Sequence, residues 1–370
     1  VNAVKRVVVV GAGPGGLAAA ARLRERGGER LEIVLAAPGG RATFLPGTLD
    51  VALGDAEPDQ FTAEVTLEGV RCIEAAVERV APDGVQIAGE WLAADAVIAA
   101  PGLALSYEAV PEWPRGAVAW DPVAAASARE RLVDVAAGRV VIAPCSLPYR
   151  CPPAPFALAI RIAERHFRAG HMTRVIAATP ETMPLAGVGG DAPALVMDAC
   201  AAAGVQVERG FAVDLASSED GVLRSLDGRE LRYDAVVLVP PHIRAGCLSE
   251  LPGDGPLVSV GERGSVDGTT LYLVGDAAAT AMPRAAGVAR GTAIAAADGT
   301  LEALDIASAP PAEAIEASCY LFHMGGAVSR LRVSYDGAEP RVQIDGPSLD
   351  LQPAREGERR RFLAAARGAS

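Results

Sequence analysis

The chain has 370 residues, 50% of them hydrophobic, with a formal net charge of −12. That length supports two or three domains, each with its own core. The acidic balance argues against a nucleic-acid partner, because phosphate binding depends on cationic side chains.

The first apolar run, Arg6-Val7-Val8-Val9-Val10, predicts a buried strand, and Gly11-Ala12-Gly13-Pro14-Gly15-Gly16 follows it. A helix is expected from Leu17 to Arg26, and a second strand ends near Leu35. The glycines of such a strand–loop–helix have separate tasks: Gly11 permits the tight turn, Gly13 lets backbone approach a pyrophosphate, and Gly16 lets the helix pack closely on the sheet. Phosphates would sit at the helix N-terminus, where free N–H groups and the helix dipole favour negative charge. Dinucleotide binding is the expectation. The acid that should end the second strand and bind ribose hydroxyls is missing, because that position is Ala36 or Ala37. Arg41 is nearby and could contact the adenosine ribose or a phosphate instead.

Further along, Pro82-Asp83-Gly84 predicts a hairpin and Asp95-Ala96-Val97-Ile98-Ala99-Ala100-Pro101 a closing strand. The same arrangement then recurs. Arg139-Val140-Val141-Ile142-Ala143 opens a second unit, Asp220-Gly221 and Asp227-Gly228 mark turns, and Asp234 to Pro240 is the matching closing strand. The opening and closing strands lie 89 residues apart in the first unit and 95 in the second. Two copies of one dinucleotide-binding architecture explain this repeat, and the short continuous apolar runs suit parallel sheets covered on both faces. After the second unit, Thr270 to Val274 predicts one more buried strand, followed by Gly275-Asp276 and a helix from about Ala285 to Ala303. A carboxylate at Asp276 could accept hydrogen bonds from ribityl hydroxyls, which favours FAD over NAD; a helix N-cap is compatible with the same role. A last segment from Pro310 holds Cys319 to Gly326 and two alternating stretches, Val328 to Ser334 and Arg341 to Ile344. The basic tail Arg355 to Arg367 is expected to be a solvated helix, with contact to an anionic surface as the alternative.

The remaining features mostly exclude. Lys5 is the only lysine, so a P-loop and a core Schiff-base lysine are ruled out. No GxSxG elbow offers a hydrolase nucleophile, and no CxxCH attaches haem. The six cysteines do not form a disulfide scaffold, and neither their spacing nor that of His166 and His171 suits a metal. No run is apolar and long enough to span a bilayer, the best one carrying Arg290, and the residues ahead of the first strand do not read as a secretory leader. A cytoplasmic location is the expectation.

These pieces resemble the two-dinucleotide-binding-domain flavoproteins, and among them sulfide:quinone oxidoreductases and the flavoprotein subunit of flavocytochrome c sulfide dehydrogenase. The resemblance covers nearly the whole chain. It rests on Gly11 to Gly16, Phe44-Leu45-Pro46, Val97 to Gly102, and Gly275-Asp276 with Pro283-Arg284-Ala285. Its most specific parts are Pro148-Tyr149-Arg150-Cys151-Pro152-Pro153, Pro240-Pro241 and Cys319-Tyr320. It implies an α/β fold of two Rossmann-like domains: a discontinuous FAD domain (1–104 and 254–309), an NAD-like domain (105–253) and a C-terminal domain (310–370). It also implies that Gly11, Gly13, Pro14, Gly15 and Gly16 surround the pyrophosphate and that Val77 lies near the adenine. Pro46 and Gly102 would border the flavin, Gly275 and Asp276 would meet the ribityl chain, and Arg284 and Ala285 would lie at the pyrimidine end.

In the second unit the glycine loop is replaced by Pro144-Cys145-Ser146-Leu147-Pro148-Tyr149-Arg150-Cys151-Pro152-Pro153, and prolines lack the N–H groups of a phosphate cradle. The resemblance implies that Cys151 faces the flavin, where a thiolate could attack sulfur species and pass electrons on through a covalent adduct. By the same comparison, a partner cysteine is expected ahead of the Gly-Asp strand, where this chain has Leu257 or Glu262, and a glutamate is expected where it has Ala157. Cys145 within the loop, or Cys247 after Pro240-Pro241, are candidate disulfide partners for Cys151. Cys72, Cys200, Cys247 and Cys319 are expected as core residues, since free cysteine behaves as a small hydrophobe. The leading expectation is an FAD-dependent oxidoreductase acting on sulfide, a persulfide or a small thiol, with a quinone or a protein as acceptor. The alternatives are an NAD(P)H-dependent quinone or ferredoxin reductase, and a catalytically degenerate member that binds flavin or a partner without turnover. Peripheral membrane contact and oligomeric state are left open by the sequence.

Overall fold

The computed structural model describes residues 3–133, 135–336 and 340–368. The opening strand Lys5–Val10 lies at the centre of a five-stranded parallel sheet. Its order is Leu271–Leu273, Ala96–Ala99, Lys5–Val10, Leu31–Ala36, Val70–Ile73. Val7, Val8 and Val9 are fully buried because helices cover one face and a three-stranded antiparallel sheet (Val77–Ala81, Gly84–Ile87, Glu90–Ala93) covers the other. Each such side chain contributes roughly 1.5–3 kcal/mol through burial. From the central strand the chain runs outward on one side, then crosses to Ala96–Ala99 on the other. This reversal opens a crevice at the carboxyl end of the central strand, and Gly11 to Gly16 sit at it.

The second sheet repeats the plan in the order Gly116–Val118, Ala235–Val239, Ala137–Pro144, Met172–Ala178, Gln206–Glu208, again all parallel. Its crevice lies after Pro144, so the proline- and cysteine-bearing loop occupies the place that Gly11 to Gly16 occupy in the first. The turn expected at Asp227-Gly228 joins the hairpin strands Val222–Arg224 and Glu230–Arg232. The two units are linked by a short antiparallel pair, Leu103–Leu105 with His242–Arg244.

The last segment forms a three-stranded antiparallel sheet, Ile315–Phe322, Val328–Tyr335 and Arg341–Ser348. Its first strand was not anticipated. Its inward residues Ala317 and Leu321 are buried, and Leu321, Phe322, Leu331 and Val333 join the same core as the helix Ala154–Arg168. The tail helix begins earlier than expected, at Gln352, and runs to Ala366. It is docked rather than solvated. Arg355 pairs with the buried carboxylate of Asp50, and its guanidinium lies 4.9 Å from the Phe322 ring centre. The Phe362 ring meets Phe44 at 5.6 Å, and the Arg359 guanidinium donates to the Gln60 carbonyl at 3.3 Å. The basic residues concealed an apolar stripe of Phe362, Leu363 and Ala366. Among the described residues no helix is long and apolar enough to cross a membrane.

Candidate functional site

The glycine loop is constrained at two points. Gly11 has φ +94°, and a Cβ there would lie 2.5 Å from the Ala100 carbonyl oxygen. A Cβ on Gly16 would lie 1.8 Å from the Gly11 carbonyl oxygen, so this glycine serves the turn itself rather than helix–sheet packing. Close helix packing falls to Gly15, whose added Cβ would stand 3.2 Å from the Ala289 carbonyl oxygen of the helix Ala286–Ala303. Nothing lies within 4 Å of a Cβ on Gly13. The helix Pro14–Gly27 therefore starts with an open approach to its N-terminus, with proline at its first position and no acid in its first turn. Those features suit an anionic diphosphate.

Around this crevice the other predicted residues take the following places. Ala36 and Ala37 are both buried, and neither supplies an acid. A carboxylate reaches this end of the sheet from the next strand instead: Glu74, just after Val70–Ile73, packs against Gly40, and a Cβ on Gly40 would meet its Cγ at 2.7 Å. Glu74 escapes the dinucleotide-binding motif, which places its acid after the second strand. Arg41 is exposed on the short strand Arg41–Thr43, which pairs with Thr62–Glu64. Pro46 lies exposed in the turn Leu45–Gly47, and Val77 begins the hairpin, half-buried. Gly102 (φ +69°) has open space where a side chain would point. Gly275 has φ +73°, and Ala285 is buried as the N-cap of the helix Ala286–Ala303.

Asp276 faces the guanidinium groups of Arg150 and Arg284, and burial raises its carboxyl above the ordinary range. Arg284 is 6% exposed. One of its terminal nitrogens donates to the Met282 carbonyl at 3.1 Å, while its Nε is buried without a partner among the described residues. A buried donor left unpaired costs free energy, so this one marks a position open to an acceptor. The open cradle at Gly13, the free space at Gly102 and the Arg284 Nε left unpaired among the described residues are compatible with a flavin dinucleotide.

The cysteine loop meets this region at Cys151, whose N–H donates to the Arg284 carbonyl at 2.8 Å. Cys151 adopts φ +56°. The preceding residue, Arg150, is anchored from three sides. Its N–H donates to His242 Nε2 at 3.3 Å, its guanidinium donates to the Trp120 carbonyl, and its own carbonyl accepts from Trp120 Nε1 at 3.3 Å. His242 Nδ1–H in turn donates to the Pro240 carbonyl at 3.1 Å. Burial and Arg150 hold the His242 imidazole neutral, its pKa lowered to about 4. The Pro240-Pro241-His242 stretch thus positions the cysteine loop.

Burial pushes the Cys151 thiol up to about 11 and Asp276 acts in the same direction, while Arg150 and Arg355 pull it down. The residue brought to it is Cys319. Both pack against the same core cluster, and an ionised Cys151 adds to the burial that raises the Cys319 thiol. Neither expected partner is there: Cys145 and Cys247 pack against two other clusters. All six cysteines are free thiols. Cys319 was expected as core because its strand was not recognised; the signal was the Cys319-Tyr320 pair itself. Ala157 lies fully buried inside the helix Ala154–Arg168 and leaves no carboxylate there.

One further residue emerges. Glu181 follows the second strand of the second sheet, where a nicotinamide-binding unit places its ribose acid. Here its Oε2 accepts from the Tyr149 hydroxyl at 3.0 Å and from Thr179 Oγ1 at 3.2 Å. Burial raises its pKa, and those two hydrogen bonds oppose the rise. The loop's own tyrosine therefore occupies the acid. Beside it lies a cavity of about 220 Å³ whose walls include Leu147, Pro148, Tyr149, Glu181, Met282 and Arg284. No group of three His, Cys, Asp or Glu among the described residues could hold a metal.

No protein-family profile matches the chain. Among solved structures it is similar to the sulfide:quinone oxidoreductase of Aquifex aeolicus, with a TM-score of 0.81 and 18% identity over 99% of this chain and 92% of that one. A chain of the Tetrahymena thermophila mitochondrial ATP synthase superposes with a TM-score of 0.76 and 13% identity, covering 98% and 93%. The covalent putidaredoxin reductase–putidaredoxin complex contributes a chain with a TM-score of 0.65 and 16% identity, covering 98% and 94%. The protein thus has the α/β fold of the two-dinucleotide-binding-domain flavoproteins and, within that fold, resembles sulfide:quinone oxidoreductase.

Proposed function

We propose that the protein is an FAD-dependent oxidoreductase that oxidises a small sulfur nucleophile, sulfide or a low-molecular-weight thiol, through the pair Cys151 and Cys319. The observation that carries this reading is the approach of Cys319 to Cys151, the residue whose N–H is bonded to the Arg284 carbonyl and whose thiol faces Asp276. Bound FAD would supply a two-electron acceptor, and Gly11, Gly13, Gly15, Gly16, Asp276 and Arg284 would hold it. Arg150 and Arg355 favour the thiolate of Cys151, the nucleophilic form of the residue. The Cys151 N–H bond to the Arg284 carbonyl holds the backbone of that residue beside the segment after Asp276. Electrons would leave to a quinone or to a protein partner; the similar structures include a sulfide:quinone oxidoreductase and a putidaredoxin reductase–putidaredoxin complex.

Reduction by a nicotinamide cofactor is disfavoured by two features. Prolines replace the N–H donors of the second loop, and Tyr149 occupies Glu181. The test is an anaerobic titration of the purified protein, followed in the visible spectrum. Sulfide should bleach the flavin in the wild type and not in Cys151→Ser or Cys319→Ser, and NADH should leave it unchanged. A colourless protein that takes up no FAD, or equal bleaching in the cysteine variants, would overturn the reading.

A further inference from the structure

Three buried side-chain polar atoms lack a partner among the described residues: His171 Nδ1, Arg284 Nε and Tyr335 Oη. Two of them flank the cysteine pair. Arg284 has its place in the cofactor reading; Tyr335 does not.

Tyr335 ends the strand Val328–Tyr335 and pairs with Ile315, while Cys319 on the same partner strand pairs with Leu331. Residues 315, 317 and 319 share one face of their strand, and 331, 333 and 335 share the matching face of the next. Tyr335 and Cys319 therefore project to the same side, and both pack against the cluster of Ala285, Val288 and Ala317. Burial pushes the Tyr335 phenol up to about 12, and Cys319 adds to the rise. Among the described residues the hydroxyl makes no hydrogen bond, to Cys319 or to any other group. A phenylalanine would fill the same space without the cost of burying an unpaired donor. The hydroxyl lies near Cys319 and lacks an acceptor that a sulfur anion would supply.

We propose that Tyr335 Oη is the hydrogen-bond donor for a sulfur anion lodged at Cys319, namely the terminal sulfur of a persulfide on that residue. This rests on the proposed function of the cysteine pair. In the step, hydrosulfide attacks Cys319 Sγ of the Cys151–Cys319 disulfide. The S–S bond breaks, a bond forms between Cys319 Sγ and the incoming SH sulfur, and Cys151 leaves as its thiolate with the electron pair of the broken bond; loss of the S–H proton to solvent then leaves the terminal sulfur as the anion. The charges suit this direction. Cys151 faces Arg150, Arg355 and Asp276, two cations against one anion. Cys319 faces Cys151 and Glu358, whose negative charges oppose an anion there, so its sulfur anion gains from a neutral donor.

The test uses the purified protein oxidised with diamide, exposed to sodium sulfide, alkylated, and read by peptide mass for a persulfide adduct on Cys319. Tyr335→Phe should slow adduct formation tenfold or more. Reduction of the same disulfide by dithiothreitol should proceed at the wild-type rate, and the melting temperature should be equal or higher. Equal persulfide rates in both proteins would overturn the assignment of Tyr335 and leave the cysteine pair standing. If diamide forms no disulfide, or the wild type gains no persulfide on Cys319, the reading of the pair fails and this one fails with it.

Discussion

The backbone N–H of Cys151 donates to the carbonyl oxygen of Arg284 across 133 residues of chain, at 2.8 Å. This bond joins the loop after the second sheet's central strand to the segment that follows Gly275-Asp276. It is made by backbone, so side-chain substitutions at either residue leave it intact. Chemistry and architecture can therefore be tested separately at Cys151.

The first prediction concerns that backbone. Cys151 holds φ +56°, a region that β-branched residues adopt only with strain. Cys151→Ser should keep stability within about 1 kcal/mol of wild type while abolishing sulfide-dependent bleaching. Cys151→Val should lose about 1–2 kcal/mol more than the serine variant. Chemical denaturation of the two variants measures the difference; equal stabilities would show that the positive φ relaxes at little cost.

The second follows from the Cys151 thiol. Burial raises its pKa from an ordinary value near 9 to about 11. A raised acid binds its proton more tightly when folded, so its contribution is complete below pH 9 and is lost as pH rises through 11. The melting temperature of the reduced protein should fall across that window, by the equivalent of about 1–3 kcal/mol. Burial also raises Cys145 and Cys200 to about 12, and these contribute over the same range, so Cys151→Ser should lessen the fall without abolishing it; an identical pH profile for both proteins would argue against a buried Cys151 thiol.

A third contrast lies within the glycine loop. A Cβ on Gly16 would collide with the Gly11 carbonyl at 1.8 Å, whereas one on Gly13 meets nothing within 4 Å. Gly16→Ala should therefore disturb the loop and lower the melting temperature of the cofactor-free protein. Gly13→Ala should leave that temperature unchanged and weaken FAD binding at least tenfold, because its methyl group enters the space left for the pyrophosphate. Fluorescence titration with FAD, run beside thermal melts, separates the two effects.

The parallel sheets, both crevice loops and the closing strands were legible because continuous apolar runs bounded by turns record double-sided burial. Val7 to Val10 and Val236 to Val239 are examples. Three features were not legible, each because it depends on contacts between distant segments. Glu74 comes from a different strand than the motif predicts. Cys319 lies on a strand whose polar members, Glu316 and Ser318, masked its alternation. The tail helix shows arginines, yet it is fixed by Asp50, Phe44 and Phe322. Pattern reading finds elements; it does not find which side chains two elements exchange.

A fourth prediction tests the join between the helices Pro14–Gly27 and Ala286–Ala303. Asp298, 4% exposed at its side chain, pairs with Arg22 at 2.9 Å and Arg26 at 2.6 Å. Burial alone would raise its pKa, but the hydrogen bonds and charges of the two arginines outweigh it and hold the carboxyl below its ordinary value. Its stabilising contribution is present above the unfolded value near 4 and is lost as pH falls through the lowered folded one. Asp298→Asn removes one anion from two part-buried guanidinium groups and should cost about 2–3 kcal/mol. Urea unfolding at pH 7 measures that loss, and the variant should be less sensitive than wild type to acid below pH 4.

The last prediction addresses nicotinamide use. Glu181 stands where a ribose-binding acid belongs, and Tyr149 occupies it through a 3.0 Å hydrogen bond. If that tyrosine were the only obstacle, Tyr149→Phe would free the carboxylate and NADH would begin to reduce the flavin. It should not. A dinucleotide needs successive N–H donors for its pyrophosphate as well as an acid for its ribose, and the acid cannot replace them. Pro144, Pro148, Pro152 and Pro153 remove four of those donors from the loop. Stopped-flow mixing of Tyr149→Phe with NADH should leave the flavin oxidised at every concentration tried. Bleaching in the variant alone would mean that Tyr149, rather than the proline loop, is what keeps the nicotinamide cofactor out.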